Sequence, residues 1–260
     1  LMVVNDIAIE AYLVGIINNE ISSRWADDVI KTQAVVARTY ALHQKRLRSK
    51  AAFHLEGTVM GQVYTGSEAE DASSMKAVKE TAGEIISYGG GPALTVYHSN
   101  AGGVTEASIN IWKRDYPYLV SVKSPYDESA PRFQWEFQLP GASLGNLLVS
   151  AGHQIPEPES VEIVDTTGSG RVRDVLVADA SGRSVTIAGE DLRRIIGYST
   201  LRSTIFEVKK ESGVFIFRGR GSGHGVGLSQ WGAKGMAENG FSYKEILKHY
   251  YPGTDLVKAY

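Results

Sequence analysis

The chain has 260 residues, 43% of them hydrophobic and 22% charged, which suits one large soluble globular domain or two modest ones. Its net charge of −2 lacks the basic excess that phosphate binding requires, which excludes nucleic acid as the main partner. Cysteine is absent, and with it a disulfide scaffold, a thiol nucleophile, thiolate zinc sites and iron–sulfur clusters.

No apolar run approaches the roughly 20 residues that span a bilayer, and no signal-peptide pattern stands at the start. The chain begins at Leu1 and reads as a trimmed or mature fragment, so a missing targeting segment says nothing of the native address and a membrane anchor stays open. Asp6 is a candidate N-cap ahead of Ile9, Leu13, Ile16 and Ile17, whose spacing predicts a helix ending near Asn18-Asn19. Ser22-Ser23 can cap a second helix over 24–48, with Asp27 and Asp28 in the first turn, where the dipole favours them. Its small face (Ala26, Ile30, Ala34, Ala37, Ala41) permits close packing. A third helix is expected over 68–82, stopping at Gly83.

Strand signals follow. Residues 84–88 and 93–98 flank Gly89-Gly90-Gly91-Pro92 and read as a hairpin. Short β runs at 160–164, 173–177 and 184–187, a helix at 189–196, and a hairpin at 205–208 and 214–217 come next. Helices over 228–239 and 242–250 close the chain. Ser242 with Glu245 forms a capping box, and Gly240 suits the C′ position of the preceding helix. The pattern is α+β: a body of helices and antiparallel strands with a strand-rich middle subdomain. Residues 1–132 and 205–260 are expected to form one catalytic body, and 133–204 the subdomain.

Three places stand out chemically. Extending the apolar stripe of the first helix by three positions lands on Glu20, a carboxylate where a hydrophobe is due. If buried there, its raised pKa would suit a general acid; if the helix ends earlier, Glu20 is a solvated loop residue. His98-Ser99-Asn100-Ala101-Gly102-Gly103 leaves a strand for a small-residue loop, where backbone amides can approach a ligand or the glycines merely supply positive φ. From Gly219 to Gly227, glycine occupies every second position. No P-loop or dinucleotide fingerprint fits that run, so a strand edge packed on a ligand or another segment explains it better. His224 is either part of a site there, with Ser229, Gln230 and Trp231, or a buried link between loops. His98, His224 and His249 lack zinc-ligand spacing, no metal site is expected, and no nucleophile elbow supports a Ser-His-Asp triad.

Lys31-Thr32-Gln33-Ala34-Val35-Val36-Ala37-Arg38-Thr39-Tyr40, Tyr97-His98-Ser99-Asn100-Ala101-Gly102-Gly103 and the run from Gly219 to Gly253 together resemble the SpoIID/LytB family of bacterial envelope proteins. The resemblance implies a cofactor-free, extracytoplasmic protein acting on peptidoglycan glycan strands. Some members are lytic transglycosylases that cut peptide-stripped strands with one glutamate; others enhance a partner cell-wall amidase. The family glutamate matches Glu20 and the family arginine matches Arg38. Tyr40, His98, Ser99, Asn100, Gly102, Gly103, His224, Ser229, Gln230 and Trp231 are then the expected substrate contacts beside Arg38. One sugar site drawing on both ends of the chain is expected, and neither Asp127 nor Glu106 is backed as a second carboxylate. The sequence departs from the family at Ile21-Ser22, where Met-Pro is common, and at Ser222, where an aromatic is usual. A family zinc site that uses cysteine should be missing.

Overall fold

The computed structural model describes residues 3–57 and 61–260. It divides into two compact units, one of residues 1–97 with 232–260 and one of residues 98–231. Both chain ends thus share a unit. The boundaries fall at 97/98 and 231/232 rather than at 132/133 and 204/205, and hydrogen bonding gives the reason. The strand Val214–Arg220 pairs with Gln134–Pro140, and Glu106 binds Thr167 and Ser169, so all these segments are held in the second unit.

In the first unit, α1 (Ile9–Glu20) buries Leu13, Val14, Ile16 and Ile17 and runs to Glu20, past the expected end at Asn18-Asn19. Ala8, not Asp6, occupies its N-cap. Helix α2 (Asp27–Leu47) starts later than expected, at the Ala26 N-cap. Ser22 instead accepts the Arg24 N–H in the preceding turn, at 3.3 Å. The small face of α2 is buried through Ala34, Ala37 and Ala41. The third helix begins late because Asp71 caps it: α3 (Ala72–Glu80) opens on a reciprocal Asp71–Ser74 box, behind a 3-10 turn at Gly66–Ala69.

Strand β1 (Glu84–Tyr88) meets β2 (Gly91–Pro92) across the glycine turn. The Ala93 N–H still bonds to the Ile86 carbonyl of β1 at 2.9 Å, but residues 94–96 leave the ladder, and Thr95 donates to the Val36 carbonyl at 2.8 Å. The other edge of β1 is covered by a strand the sequence did not announce, at Asp255–Lys258. The short strand β3 (Tyr97–His98) ends this part of the chain.

The second unit contains α4 (Ser108–Trp112) and two antiparallel three-stranded sheets. In one, β9 (Val214–Arg220) lies between β4 (Gln134–Pro140) and β8 (Phe206–Glu211). In the other, β6 (Val172–Asp179) lies between β5 (Pro158–Thr166) and β7 (Ser184–Ala188). Helices α5 (Gly141–Ser150) and α6 (Gly189–Ile196) complete a core of Trp135, Leu144, Leu148, Val175, Val177, Leu192, Phe215 and Phe217. Cross-strand neighbours Phe137 and Phe217 stack with centroids 4.9 Å apart. After β10 (Leu228–Ser229) come α7 (Gln230–Glu238), α8 (Tyr243–Tyr250) and β11 (Asp255–Lys258). The Ser242–Glu245 box caps α8 as read, and Gly240 takes φ +86° behind α7. The architecture is α+β.

Candidate active site

Because α1 continues one residue beyond Asn18-Asn19, Glu20 is carried on the helix and half-buried. Its Oε1 accepts the Val63 N–H at 3.4 Å, and the buried Tyr97 phenol lies near enough to feel its charge. Burial pushes the Glu20 pKa up, and the Val63 bond only partly offsets the loss of solvent. Phenols surround it. Tyr12 and Tyr64 stack at 5.5 Å, and Tyr12 feels the charges of Glu20, Tyr40 and Tyr64. The loop bearing Val63 is tied to the same helix end, because Asn19 donates to the Val63 carbonyl at 3.2 Å and to Thr65 Oγ1 at 2.9 Å. Among the described residues no cation is paired with this half-buried acid, and a raised carboxyl pKa is what a general acid requires.

Arg38 is placed elsewhere. It is fully buried and grips Glu10 in a fork, Nε to Oε1 at 3.0 Å and Nη2 to Oε2 at 2.7 Å. Its remaining donors reach the Glu84 and Val78 carbonyls and Thr81. At 1.5 Å per residue, Glu10 lies about 15 Å along α1 from Glu20. The expected sugar-gripping fork is therefore occupied in joining α1, α2, α3 and β1. Tyr40 is half-buried, and burial raises its pKa.

The other expected site residues belong to the second unit. His98 is buried, and its Nδ1 donates to the Val226 carbonyl at 3.1 Å, which fixes the tautomer with the Nε2 lone pair free of a proton. Burial, then the neighbouring His224 and Arg171, hold its pKa well below the usual imidazole value, so the ring is neutral. His224 Nδ1 accepts the Val226 N–H at 3.0 Å. One residue thus orients both rings, which pack 5.3 Å apart. Gly223 and Gly225 take φ +111° and +84°, and a Cβ on them would lie 2.5 Å from His98 and 2.3 Å from the Arg171 guanidinium. The run 221–227 is therefore a loop rather than the expected strand edge, and its glycines give passage to a histidine and an arginine.

Asn100 and Ser222 exchange backbone hydrogen bonds at 3.1 and 2.9 Å, and Gly102 packs against the Arg220 backbone. Gly103 has φ +94° with open space at its Cβ position. Ser229 is fully buried and donates to Asp127 Oδ1 at 2.9 Å, while Asp127 Oδ2 accepts the Ala101 N–H at 2.6 Å. Burial raises the Asp127 pKa despite these bonds. The Ser229 hydroxyl, expected to meet substrate, is thus engaged within the fold. Gln230 starts α7, and the half-buried Trp231 donates its N–H to the Ser99 carbonyl at 3.0 Å. His249 lies in the first unit, edge-on to Tyr250. Among the described residues, no three His, Cys, Asp or Glu side chains are grouped to hold a metal ion.

The family model for the stage II sporulation protein (SpoIID) matches residues 1–88, and one described as a domain of unknown function matches 105–227. An uncharacterised protein of Brachyspira hyodysenteriae is 35% identical over 99% of this chain and 68% of its own length. The stage II sporulation protein D of Bacillus amyloliquefaciens is 31% identical over 98% of this chain and 76% of its own. The chain belongs to the stage II sporulation protein D family. The amidase enhancer of Bacillus subtilis is 30% identical over 94% of this chain, which spans 40% of that longer protein.

In this SpoIID family member, several site features escaped the sequence reading. Ser222 stands where the resemblance leads one to expect an aromatic, and the exposed Trp112 packs on His224 with ring centroids 5.3 Å apart. Glu106 fixes the helix bearing that tryptophan. It accepts from the Ala107 N–H at 2.7 Å, Asn110 at 2.8 Å, and the Thr167 and Ser169 hydroxyls. Burial opposes its ionisation, but the four bonds outweigh it and lower its pKa. Tyr97 stood one place before an expected site residue. Gln62, fully buried between Tyr12 and the Ala37 carbonyl, gave no sequence signal.

Proposed function

We propose that the chain is a peptidoglycan lytic transglycosylase in which Glu20 acts first as general acid and then as base. Membership of the SpoIID family supports a cell-wall-related role. One observation carries the mechanism: Glu20 stands half-buried at the end of α1 with its pKa raised by burial, as a general acid requires. A hydrolase that inverts or retains needs two carboxylates. A transglycosylase manages with one, because the muramic acid brings its own nucleophile. Protonated Glu20 gives its proton to the glycosidic oxygen as the C1–O bond breaks through an oxocarbenium-like state. The C6 hydroxyl then bonds to C1 and returns its proton to the Glu20 carboxylate, leaving a 1,6-anhydro end. Such a substrate puts the protein outside the cytoplasm.

Purified protein on peptide-free glycan strands should release 1,6-anhydro ends, detected by mass spectrometry. Glu20→Gln keeps shape and hydrogen bonding but removes the titrating proton, and should slow release about 10²–10⁴-fold. Products with only reducing ends would overturn the mechanism. A second reading is favoured by the likeness to the amidase enhancer: a module that binds glycan and stimulates a partner amidase without cleaving. Under that reading Glu20→Gln leaves both glycan binding and amidase stimulation unchanged.

A further inference from the structure

We infer that Arg171 is a positioning residue of the second unit: its buried guanidinium, set on the β5–β6 turn, holds the 98–104 loop against the 221–227 loop. That these loops meet glycan belongs to the proposed function, and the consequence for binding rests on that reading.

Both ends of this residue are fixed. At its root, the Thr167 N–H donates to the Arg171 carbonyl at 2.8 Å, and the Arg171 N–H donates to Thr167 Oγ1 at 3.3 Å. Thr167 and Ser169 in turn give their hydroxyls to Glu106. At its tip, Nη2 donates to the Ala101 carbonyl at 2.8 Å and to that of Val104 at 3.3 Å. The opposite loop lies against the same group, since a Cβ on Gly225 would stand 2.3 Å from the guanidinium carbon. Two backbone joints link the loops directly: Asn100 pairs with Ser222, and the Glu106 N–H donates to the Gly225 carbonyl at 2.8 Å. Ala101 and Val104 lie between those joints, and it is there that Arg171 takes hold.

Stability alone does not account for an arginine here. The side chain is fully buried, yet Nε and Nη1 meet no acceptor among the described residues. Burial lowers its pKa to about 10, the charges of Glu106 and Glu190 oppose that fall, and the group stays ionised at neutral pH. An ionised group buried with donors unfilled is a cost to the fold, and an apolar side chain of like volume is often as stable or more so. What a methionine could not supply is a pair of donors for two carbonyls of one loop. Holding that loop is what sets the guanidinium apart from an apolar substitute.

The test is amide exchange in the full chain, read on two groups of N–H. Those of Asn100, Ser222 and Glu106 report the joints between the loops, and those of Val175 and Val177 on β6 report the core. Arg171→Met keeps volume and removes the donors, and should speed exchange at the joints about tenfold or more while β6 changes little. Affinity for peptide-free glycan strands should fall about tenfold with it. Joint exchange that is unchanged, or that rises only in step with β6, overturns the inference. If Arg171→Met does not fold, Arg171→Lys takes its place. It keeps the charge but neither the planar group nor its reach, so the joints should loosen by a smaller factor, and unchanged exchange there overturns the positioning role. Faster joint exchange with undiminished glycan affinity supports the role of Arg171 and overturns only the glycan reading of these loops.

Discussion

Glu10 and Glu20 sit on one helix and meet opposite fates. Glu10 loses solvent too, but the fork from Arg38, the Tyr260 hydroxyl and the Gly83 N–H outweigh burial and lower its pKa. No cation among the described residues offsets the burial of Glu20, and its pKa rises. A raised carboxyl pKa means the folded state binds the proton more tightly than the unfolded chain. The ionised form is then a stability cost that grows as pH climbs from the unfolded value, about 4.3, through the folded one. Glu20→Gln should therefore raise the melting temperature at pH 7, by on the order of 2 °C, and leave it almost unchanged at pH 4. Equal gains at both pH values would show that the carboxyl is solvated. Arg38 answers the same question from the other side. Arg38→Ala would strand Glu10 and two carbonyls, and should cost about 3–5 kcal/mol in urea unfolding. A substrate contact would instead leave stability intact and raise KM.

At the scale of elements, the glycine run shows what a sequence can and cannot reveal. Gly225 and Gly240 have similar φ, +84° and +86°, but a Cβ at 225 would strike Arg171 whereas nothing lies within 4 Å at 240. Gly240→Ala should cost only the left-handed backbone strain, about 1–2 kcal/mol. Gly225→Ala adds a clash with a buried guanidinium and should cost at least about 2 kcal/mol more, compared by urea unfolding. Alternating glycines announced a close approach, but not which side chains approached. Period and capping were legible in the same way. The apolar stripe of α1, the Ser242–Glu245 box and the β5–β7 strands could be read because each depends on neighbours in sequence. Strand β11 was not, since only pairing with β1, some 170 positions earlier, gives it a role. Strand β4 was missed although Trp135, Phe137 and Leu139 alternate. Within the site, Glu20 was legible as a carboxylate on an apolar stripe. Gln62 was not, because a buried amide is defined by its partners, Tyr12 and Ala37, and not by its neighbours.

Each unit of the molecule is organised around a carboxylate whose charge the fold favours. In the first, Glu10 joins α1 to α2 through Arg38 and to the chain end through Tyr260, beside the β1–β11 pairing. In the second, Glu106 joins α4 to the β5–β6 turn through Asn110, Thr167 and Ser169. Both folded pKa values lie below their ordinary ones. Their contribution to stability is therefore complete above the unfolded value, about 4.3, and is lost as pH falls through the folded values. The whole protein should lose stability between about pH 5 and pH 3, and each hub supplies a separable part of that loss. Glu10→Gln and Glu106→Gln each remove charge-assisted hydrogen bonds and should lower stability at pH 7 by about 1–3 kcal/mol. Each should also flatten the acid limb. Amide exchange can divide the effect between the units: Glu10→Gln should expose Ile85 and Ile86 on β1, and Glu106→Gln the amides of Ala107 and Asn110. A variant that weakens both sets equally, or that leaves the slope between pH 5 and pH 3 as steep as before, would show that its carboxylate is not the hub of its unit.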